Sequence, residues 1–338
     1  MGATIKDVAR LANVSIATVS RVVNNKGIVV PEKEQRVLEA VKKLHYTPNA
    51  IAQSLKHKKS KLIGMMASDM SVSFFVGVLK ILEQELLESG YLLIVANTND
   101  SPETERQLID LMTQGRCDIL LINSTGGNDD RLAELKASGV TMFGYDRYPE
   151  NGAFPSVYLD KVKGTYMLLD HLYNLGHRRF CMITGSAELS TNIQRCKGIE
   201  KFLKDKKLSK DSVQIRQSTF SGEYAKKIME EMQKRKKPPT AYIAGSVSTA
   251  IGIIQYCEKT GMSIPGDISL ASFGDFWNSD LIKPSLLYID DQYRRIAEQL
   301  LKWIRIVESG ECEIACENVV LEPELVLGDS CGPPKLLK

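Results

Sequence analysis

No run of about eighteen apolar residues interrupts the chain, which argues against an ordinary membrane-crossing helix. No basic-then-apolar leader follows Met1 either, so the protein is expected to stay in the cytoplasm, away from any membrane. Cysteine is sparse and odd in number, seven in all, and Cys312 with Cys316 form the only close pair. No second pair stands at zinc spacing, so buried or idle thiols are expected rather than a disulfide framework or a metal site. Histidine is rarer still: His45, His57, His171 and His177 are dispersed, and His177 beside Arg178 and Arg179 reads as a surface loop rather than a general base. Also missing are Gly-x-Gly-x-x-Gly after the first strand, a Gly-x-x-x-x-Gly-Lys-Ser/Thr phosphate loop and His-Glu-x-x-His. An enzyme is therefore a distant alternative, and no cofactor is implied.

The 338 residues, 43% of them hydrophobic, suffice for two or three domains with cores of their own. The net charge of +3 hides an asymmetry. Residues 1–60 carry eleven Lys and Arg against four carboxylates, so this end is +7 and the remainder is −4. A polycation mounted on a mildly acidic body points to a polyanionic partner for that end.

Within it, Thr4-Ile5-Lys6-Asp7 has the form of a capping box and launches a helix through about Ala12 with Val8 and Leu11 on one face. Asn13-Val14 make a turn, and Ser15 caps a second helix from Ile16 to about Asn24. Pro31 opens a third, whose Val37, Ala40, Val41 and Leu44 close a miniature core. On spacing alone this is a helix-turn-helix or an ordinary helical hairpin. The charge favours the former, because Ser15, Ile16, Ala17, Thr18, Ser20 and Arg21 fall on the second helix where phosphates and base edges are reached. Arg21 suits guanine O6 and N7; Ile16 and Ala17 suit a thymine methyl.

Residues Thr4 to Asn24 as a block closely resemble the signature of the lac repressor (LacI/GalR) family. The likeness continues from Tyr46 to Leu55, which is similar to that family's hinge helix, except that Gln53 stands where an arginine is usual. The resemblance implies that Ile16, Ala17 and Arg21 read the major groove and that Leu55 wedges into the minor groove at the operator centre. It adds Thr4, Asn24, Asn49, Ala52 and Lys56 to the expected DNA contacts. A hinge helix of about nine residues is too short to stand alone and should order only against a partner and DNA. The expected boundaries are a headpiece over 1–47, a hinge and linker over 48–60, a body over 61–330 and a tail over 331–338.

From Leu62 apolar runs alternate with amphipathic helices, the pattern of parallel α/β sheets. Strands are predicted at Leu62–Ala67, Tyr91–Ala96, Asp118–Asn123 and Thr141–Tyr145, then at Phe180–Thr184, Val213–Arg216, Ala241–Ala244 and Ile268–Ser272. The reading is two doubly wound lobes, one over about 61–160 and 290–320, the other over about 161–289 and 321–330, and the resemblance implies periplasmic-binding-protein type I architecture. The Cys331-Gly332-Pro333-Pro334-Lys335 tail looks short and disordered, without the leucine heptads of a tetramer-forming coil, so a homodimer is expected.

Ligands of such sheets lie outside the carboxyl ends of strands, here between the lobes. The candidates there are Phe74, Phe75, Asp146, Arg147, Leu189 and Thr191, followed by Arg195, Phe220, Ser246, Asp275, Trp277 and Asp290. Carboxylates and guanidinium groups pair with hydroxyls, and aromatic faces cover a sugar ring or stack on a base. Three departures from the family leave the ligand open: Val247 where an aspartate is usual, Leu189 where purine-binding relatives have arginine, and Asp290 where sugar binders often have an amide. The expectation is a repressor that binds a palindromic operator under control of a carbohydrate-like effector. The alternatives are a catabolite-control type regulator worked by a phosphocarrier protein and, more remotely, a transport-type sugar-binding protein.

Overall fold

The computed structural model describes residues 3–23, 27–46, 60–115, 117–218, 220–276, 283–310 and 317–335. The chain divides into two units, Met1–Lys61 and Leu62–Lys338.

In the first unit, α1 (Ile5–Ala12) starts on a closed capping box. The Asp7 N–H donates to Thr4 Oγ1 (3.4 Å), while the Asp7 carboxylate accepts from the Thr4 N–H (3.0 Å) and hydroxyl (2.6 Å). Asn13 ends the helix at φ +50°, a left-handed conformation asparagine tolerates. α2 (Ile16–Val23) follows, with Ser15 Oγ accepting from the Thr18 N–H (3.2 Å), and α3 (Pro31–Lys43) has proline in its first turn. Val8, Ala12, Val19, Val22, Val37 and Ala40 bury against one another. Helices of eight residues are unstable alone, so this shared core is what holds α1 and α2.

The second unit begins with β1 (Leu62–Ala67), α4 (Ser73–Glu88), β2 (Leu92–Asn97), α5 (Pro102–Gln114), β3 (Ile119–Ile122), α6 (Asp129–Ala137), β4 (Thr141–Tyr145) and β5 (Ser156–Leu159). It continues with α7 (Lys161–Asn174), β6 (Phe180–Thr184), α8 (Ser190–Asp205), β7 (Val213–Gln217), α9 (Gly222–Gln233), β8 (Ala241–Ala244), α10 (Val247–Thr260) and β9 (Ser269–Phe273). β10 (Leu287–Ile289), α11 (Tyr293–Ser309), β11 (Val319–Leu321) and β12 (Leu325–Val326) complete it. Two six-stranded sheets result, ordered β11-β5-β4-β3-β1-β2 and β12-β10-β9-β8-β6-β7. Every pairing is parallel except β10 with β12. β3, β6, β8 and β9 are buried along their whole length, which is why none alternates between apolar and polar residues; β3 and β8 read as uninterrupted apolar runs.

Each sheet is a doubly wound layer, as the sequence pattern implied. The chain crosses between them after β5, after β10 and between β11 and β12, and backbone bonds tie the crossings together: Asp160 N–H to Leu321 O and Asp290 N–H to Glu324 O, both 2.9 Å. α11 returns to the first sheet, where Trp303 stacks on Phe143 at 5.2 Å between ring centroids. Among the described residues no helix is long and apolar enough to cross a membrane.

Two sequence expectations fail here. The tail is not disordered over 331–335: Cys331 Sγ donates to Leu270 O (3.2 Å), Gly332 N–H donates to Ser269 Oγ (3.1 Å) and Lys335 pairs with Asp267 (2.6 Å). His177 is not a surface residue either. It is 1% exposed, with Nδ1 2.8 Å from Thr240 Oγ1 and Nε2 2.9 Å from Gly332 O and 3.0 Å from Ser269 Oγ. The imidazole fills the end of the second sheet under the tail, and burial depresses its pKa and keeps it neutral. Burial also pushes the thiols of Cys181 and Cys331 up to about 12 and that of Cys257 to about 11.

Candidate functional site

The first unit presents a helix-turn-helix with a bare outer face. α1 and α2 turn valines and alanines inward, so Ser15, Ile16, Ala17 and Arg21 stand exposed and Thr18 and Ser20 half-buried on α2. Ile16 is 46% exposed, an apolar side chain facing out where packing gives it no partner. Thr4 serves as the cap of α1 and is itself exposed. Asn24, Asn49, Ala52, Leu55 and Lys56 lie outside the described residues.

In the second unit, loops from the carboxyl ends of both sheets enclose a cleft of about 450 Å³, within the usual range for a small-molecule pocket. Asp146, just past β4, takes φ +60° and directs its carboxylate at two donors, Lys161 Nζ (2.7 Å) and Asn123 Nδ2 (3.3 Å). Burial works to raise its pKa, but the adjacent Lys161 ammonium and Arg147 guanidinium outweigh it and hold the group below the ordinary carboxylate value. Arg147 donates through Nη1 to Asp100 (2.5 Å). Arg195, on α8, donates through Nη1 to Thr184 Oγ1 (3.1 Å) and through Nη2 to Gly245 O (2.9 Å), and its guanidinium carbon lies 4.4 Å from the Phe273 ring centroid and 5.6 Å from that of Phe220. Burial lowers its pKa to about 10, which leaves it a cation at neutral pH. Gly185 makes room for Phe220, since a Cβ there would collide with the ring. Phe74 and Phe75 meet edge to face at 5.0 Å on the opposite wall.

Three cleft-lining side chains are almost fully buried yet hold a polar atom without a partner: Arg147 Nε, Arg195 Nε and Thr191 Oγ1. Leaving such an atom unsatisfied costs about 1 to 3 kcal/mol, so it calls for a ligand or water.

The family model of bacterial regulatory proteins of the lacI family matches residues 4–49, and that of periplasmic binding proteins and the sugar-binding domain of the LacI family matches residues 60–318. This chain belongs to the LacI family. The HTH-type transcriptional repressor PurR of Klebsiella pneumoniae (strain 342) is 31% identical over 328 residues, covering 96% of this chain and 95% of that protein. The PurR of Histophilus somni (strain 129Pt) is 30% identical over 333 residues, covering 97% and 98%. The lac repressor dimer bound to operator and the anti-inducer ONPF has the same fold, with a TM-score of 0.82 at 22% identity, covering 98% of this chain and 100% of that one. This LacI-family chain is thus a DNA-binding transcriptional regulator with an effector-binding body.

The body of this LacI-family protein gathers Phe74, Phe75, Asp146, Arg147, Thr191, Arg195, Phe220 and Ser246 around one cleft. Ser246 doubles as the cap of α10, accepting from the Thr249 N–H (3.2 Å). Asp275 is placed differently: its carbonyl accepts from Ser73 Oγ (3.0 Å), joining the two lobes, and its carboxylate accepts from the Phe276 N–H (2.7 Å). Asp290 turns its carboxylate to the Gln292 N–H (3.1 Å), and the next residue, Asp291, lines the cleft instead. Leu189 is buried at the start of α8 and does not line it, and Trp277 lies outside the described residues. Lys161 and Asp100 are in the site although sequence reasoning passed over both. Lys161 reads as the first residue of an ordinary helix, and nothing local announces a buried ammonium. Asp291 had a signal, its place beside the candidate Asp290 in an acidic pair, which did not say which acid turns inward.

Proposed function

We propose that this regulator represses from a palindromic operator and that its effector is an uncharged, polyhydroxylated molecule of the sugar class held in the cleft. The observation that carries the reading is a set of cleft-wall side chains that each keep a buried polar atom unpaired, Arg147 Nε, Arg195 Nε and Thr191 Oγ1, in a lining shared with Phe74, Phe75 and Phe220. The cations there are already engaged: Lys161 by Asp146, Arg147 by Asp100, and Arg195 through both terminal nitrogens. A sugar hydroxyl takes one donated bond and gives another, whereas an anionic phosphate asks for free cations, and two of the three here are already paired with carboxylates. A flat purine base stacked on Phe220 is the competing occupant, and the panel below includes one.

Two copies would pair to present two recognition helices to the operator halves. An uncovered apolar strip supports this: Leu87 at the end of α4, and Leu92 and Ile94 on the free edge strand β2, are 69%, 59% and 39% exposed. Leu55 and the rest of the hinge would then carry the ligand's effect to DNA, with a coupling on the order of 1 to 3 kcal/mol.

Selection of bound fragments from random duplex DNA, repeated with ribose, cellobiose, fructose 1-phosphate or guanine, tests the whole reading. The expected outcome is a palindrome whose yield shifts with a neutral sugar. A shift with guanine or fructose 1-phosphate alone refutes the ligand class, and no enrichment refutes operator recognition. In the same assay Arg21→Ala costs roughly 1 to 3 kcal/mol and relaxes preference at one base pair of each half-site. Unaltered base preference would remove Arg21 from the reading positions.

A further inference from the structure

Asp291, unlike Asp100 and Asp146, lines the cleft without being bound to one of its cations. Its position follows from β10, which ends at Ile289 and delivers the acid to the cleft beneath Gly274. Gly274 takes φ +78°, and a Cβ there would collide with Asp291 Oδ2, so the backbone is pressed onto the carboxylate and excludes water from that side.

Four charged groups face Asp291 from the elements around it: Lys161 from the start of α7, Asp146 from the end of β4, Arg195 from α8 and Asp290 from its own turn. The two cations attract it and the two carboxylates repel it. Neither cation is free to come closer, since Lys161 is bound to Asp146 at 2.7 Å and Arg195 to Thr184 and Gly245. What remains is a part-exposed acceptor group in the cleft wall, in the same lining as Arg147 and Arg195, each of which keeps a buried, unpaired Nε donor.

We propose that Asp291 determines which ligands the cleft accepts and couples binding to loss of a proton: the ligand must offer a hydroxyl or N–H to the Asp291 carboxylate, which accepts it in the ionised form. This rests on the effector reading of the cleft. The proton that leaves Asp291 on binding goes to solvent, and no covalent bond is made or broken. Burial, ahead of every other influence, raises the carboxyl pKa to about 7, so in the free protein the group divides between acid and carboxylate at neutral pH. A charge-assisted bond is roughly twice as strong as a neutral one, which is why the ionised form is the one selected. Affinity therefore rises from pH 6 to pH 8, by roughly tenfold if only the ionised form binds. An anion is rejected at this position by the same carboxylate.

Two measurements on the full-length protein test this. The first needs no ligand: infrared spectra of wild type minus Asp291→Asn should show a protonated carboxyl band at pH 6 that is lost by pH 8. Thermal unfolding should agree with it. A carboxyl whose folded pKa is raised contributes stability below its unfolded value, and that contribution is lost as pH rises towards 7, so Asp291→Asn should raise Tm at pH 8 more than at pH 5. In the second, ribose, cellobiose and guanine are titrated calorimetrically between pH 6 and 8 in buffers of differing ionisation heat. The compound that binds should release a fractional proton at pH 7, and Asp291→Asn should flatten the pH slope. A carboxyl already ionised at pH 6, a pH-independent affinity or a slope that survives Asp291→Asn overturns the proposal. If the band is present and none of the three compounds binds, the failure belongs to the sugar or purine reading of the cleft, and the coupling falls with it.

Discussion

Replacing Arg195 by methionine should abolish ligand binding by the body, weakening it roughly 30-fold or more, as truncating one member of a buried, hydrogen-bonded charged contact does. Methionine keeps the length of the aliphatic stem and removes every donor. Wild-type Arg195 is 3% exposed and sits between Phe220 and Phe273, so no solvent reaches in to replace the lost bonds, and Thr184 Oγ1 and the Gly245 carbonyl lose their donor as well. Some stability should go with them, about 1 to 3 kcal/mol. Lysine is a poor rescue because a point charge cannot serve both acceptors in the plane that the guanidinium serves. Calorimetry with the compound that the panel identifies, alongside circular dichroism to show that the fold is kept, checks the result. Ligand binding of wild-type strength by a folded Arg195→Met protein would remove this residue from the site.

The largest loss of stability is expected at Glu105, a carboxylate with no exposed surface. It projects from the first turn of α5 and is the anchor of the loop that follows β3. Its Oε1 accepts from the Thr125 N–H (2.9 Å), and its Oε2 accepts from the Thr125 hydroxyl (2.6 Å) and Asn128 Nδ2 (2.7 Å). Glu105→Ala orphans the Thr125 N–H and hydroxyl in a place water does not enter and leaves Asn128 Nδ2 only its bond to the Pro102 carbonyl, at a cost of roughly 3 kcal/mol or more. Glu105→Gln should cost less, because the amide oxygen still accepts, but its NH2 then faces a donor. Urea unfolding followed by fluorescence gives both values. A midpoint for Glu105→Ala within error of wild type would mean that the loop finds other acceptors.

Neither Glu105 nor Lys161 is legible in the sequence, and for the same reason. A charged residue in the first turn of a helix normally faces solvent, and only the arrival of a distant loop or strand decides otherwise: Thr125 and Asn128 for Glu105, Asp146 for Lys161. The strands that sequence reading missed fail differently. Ser156–Leu159, Leu287–Ile289, Val319–Leu321 and Leu325–Val326 have two to four residues each, too few to show a period, and they exist because a sheet edge is already there to pair with. By contrast the long apolar runs were found nearly to the residue, as at Leu62–Ala67 and Phe180–Thr184.

Asp275 and Asp290 show the limit more sharply, because each was chosen by a sound rule and each turned its carboxylate to a backbone N–H close by in the chain. A short acid after a strand has two competing uses, capping a turn or meeting a ligand, and local spacing does not separate them. The sequence alone determined what depends on neighbours in the chain: a basic headpiece with its capping box and helix-turn-helix, two alternating α/β layers and family membership. The tertiary structure decided what depends on residues far apart. It set which carboxylate lines the cleft, which cations are already paired and which donors stay unsatisfied, and it buried His177 beneath the tail, because burial and electrostatics are properties of surroundings that only the packed chain creates.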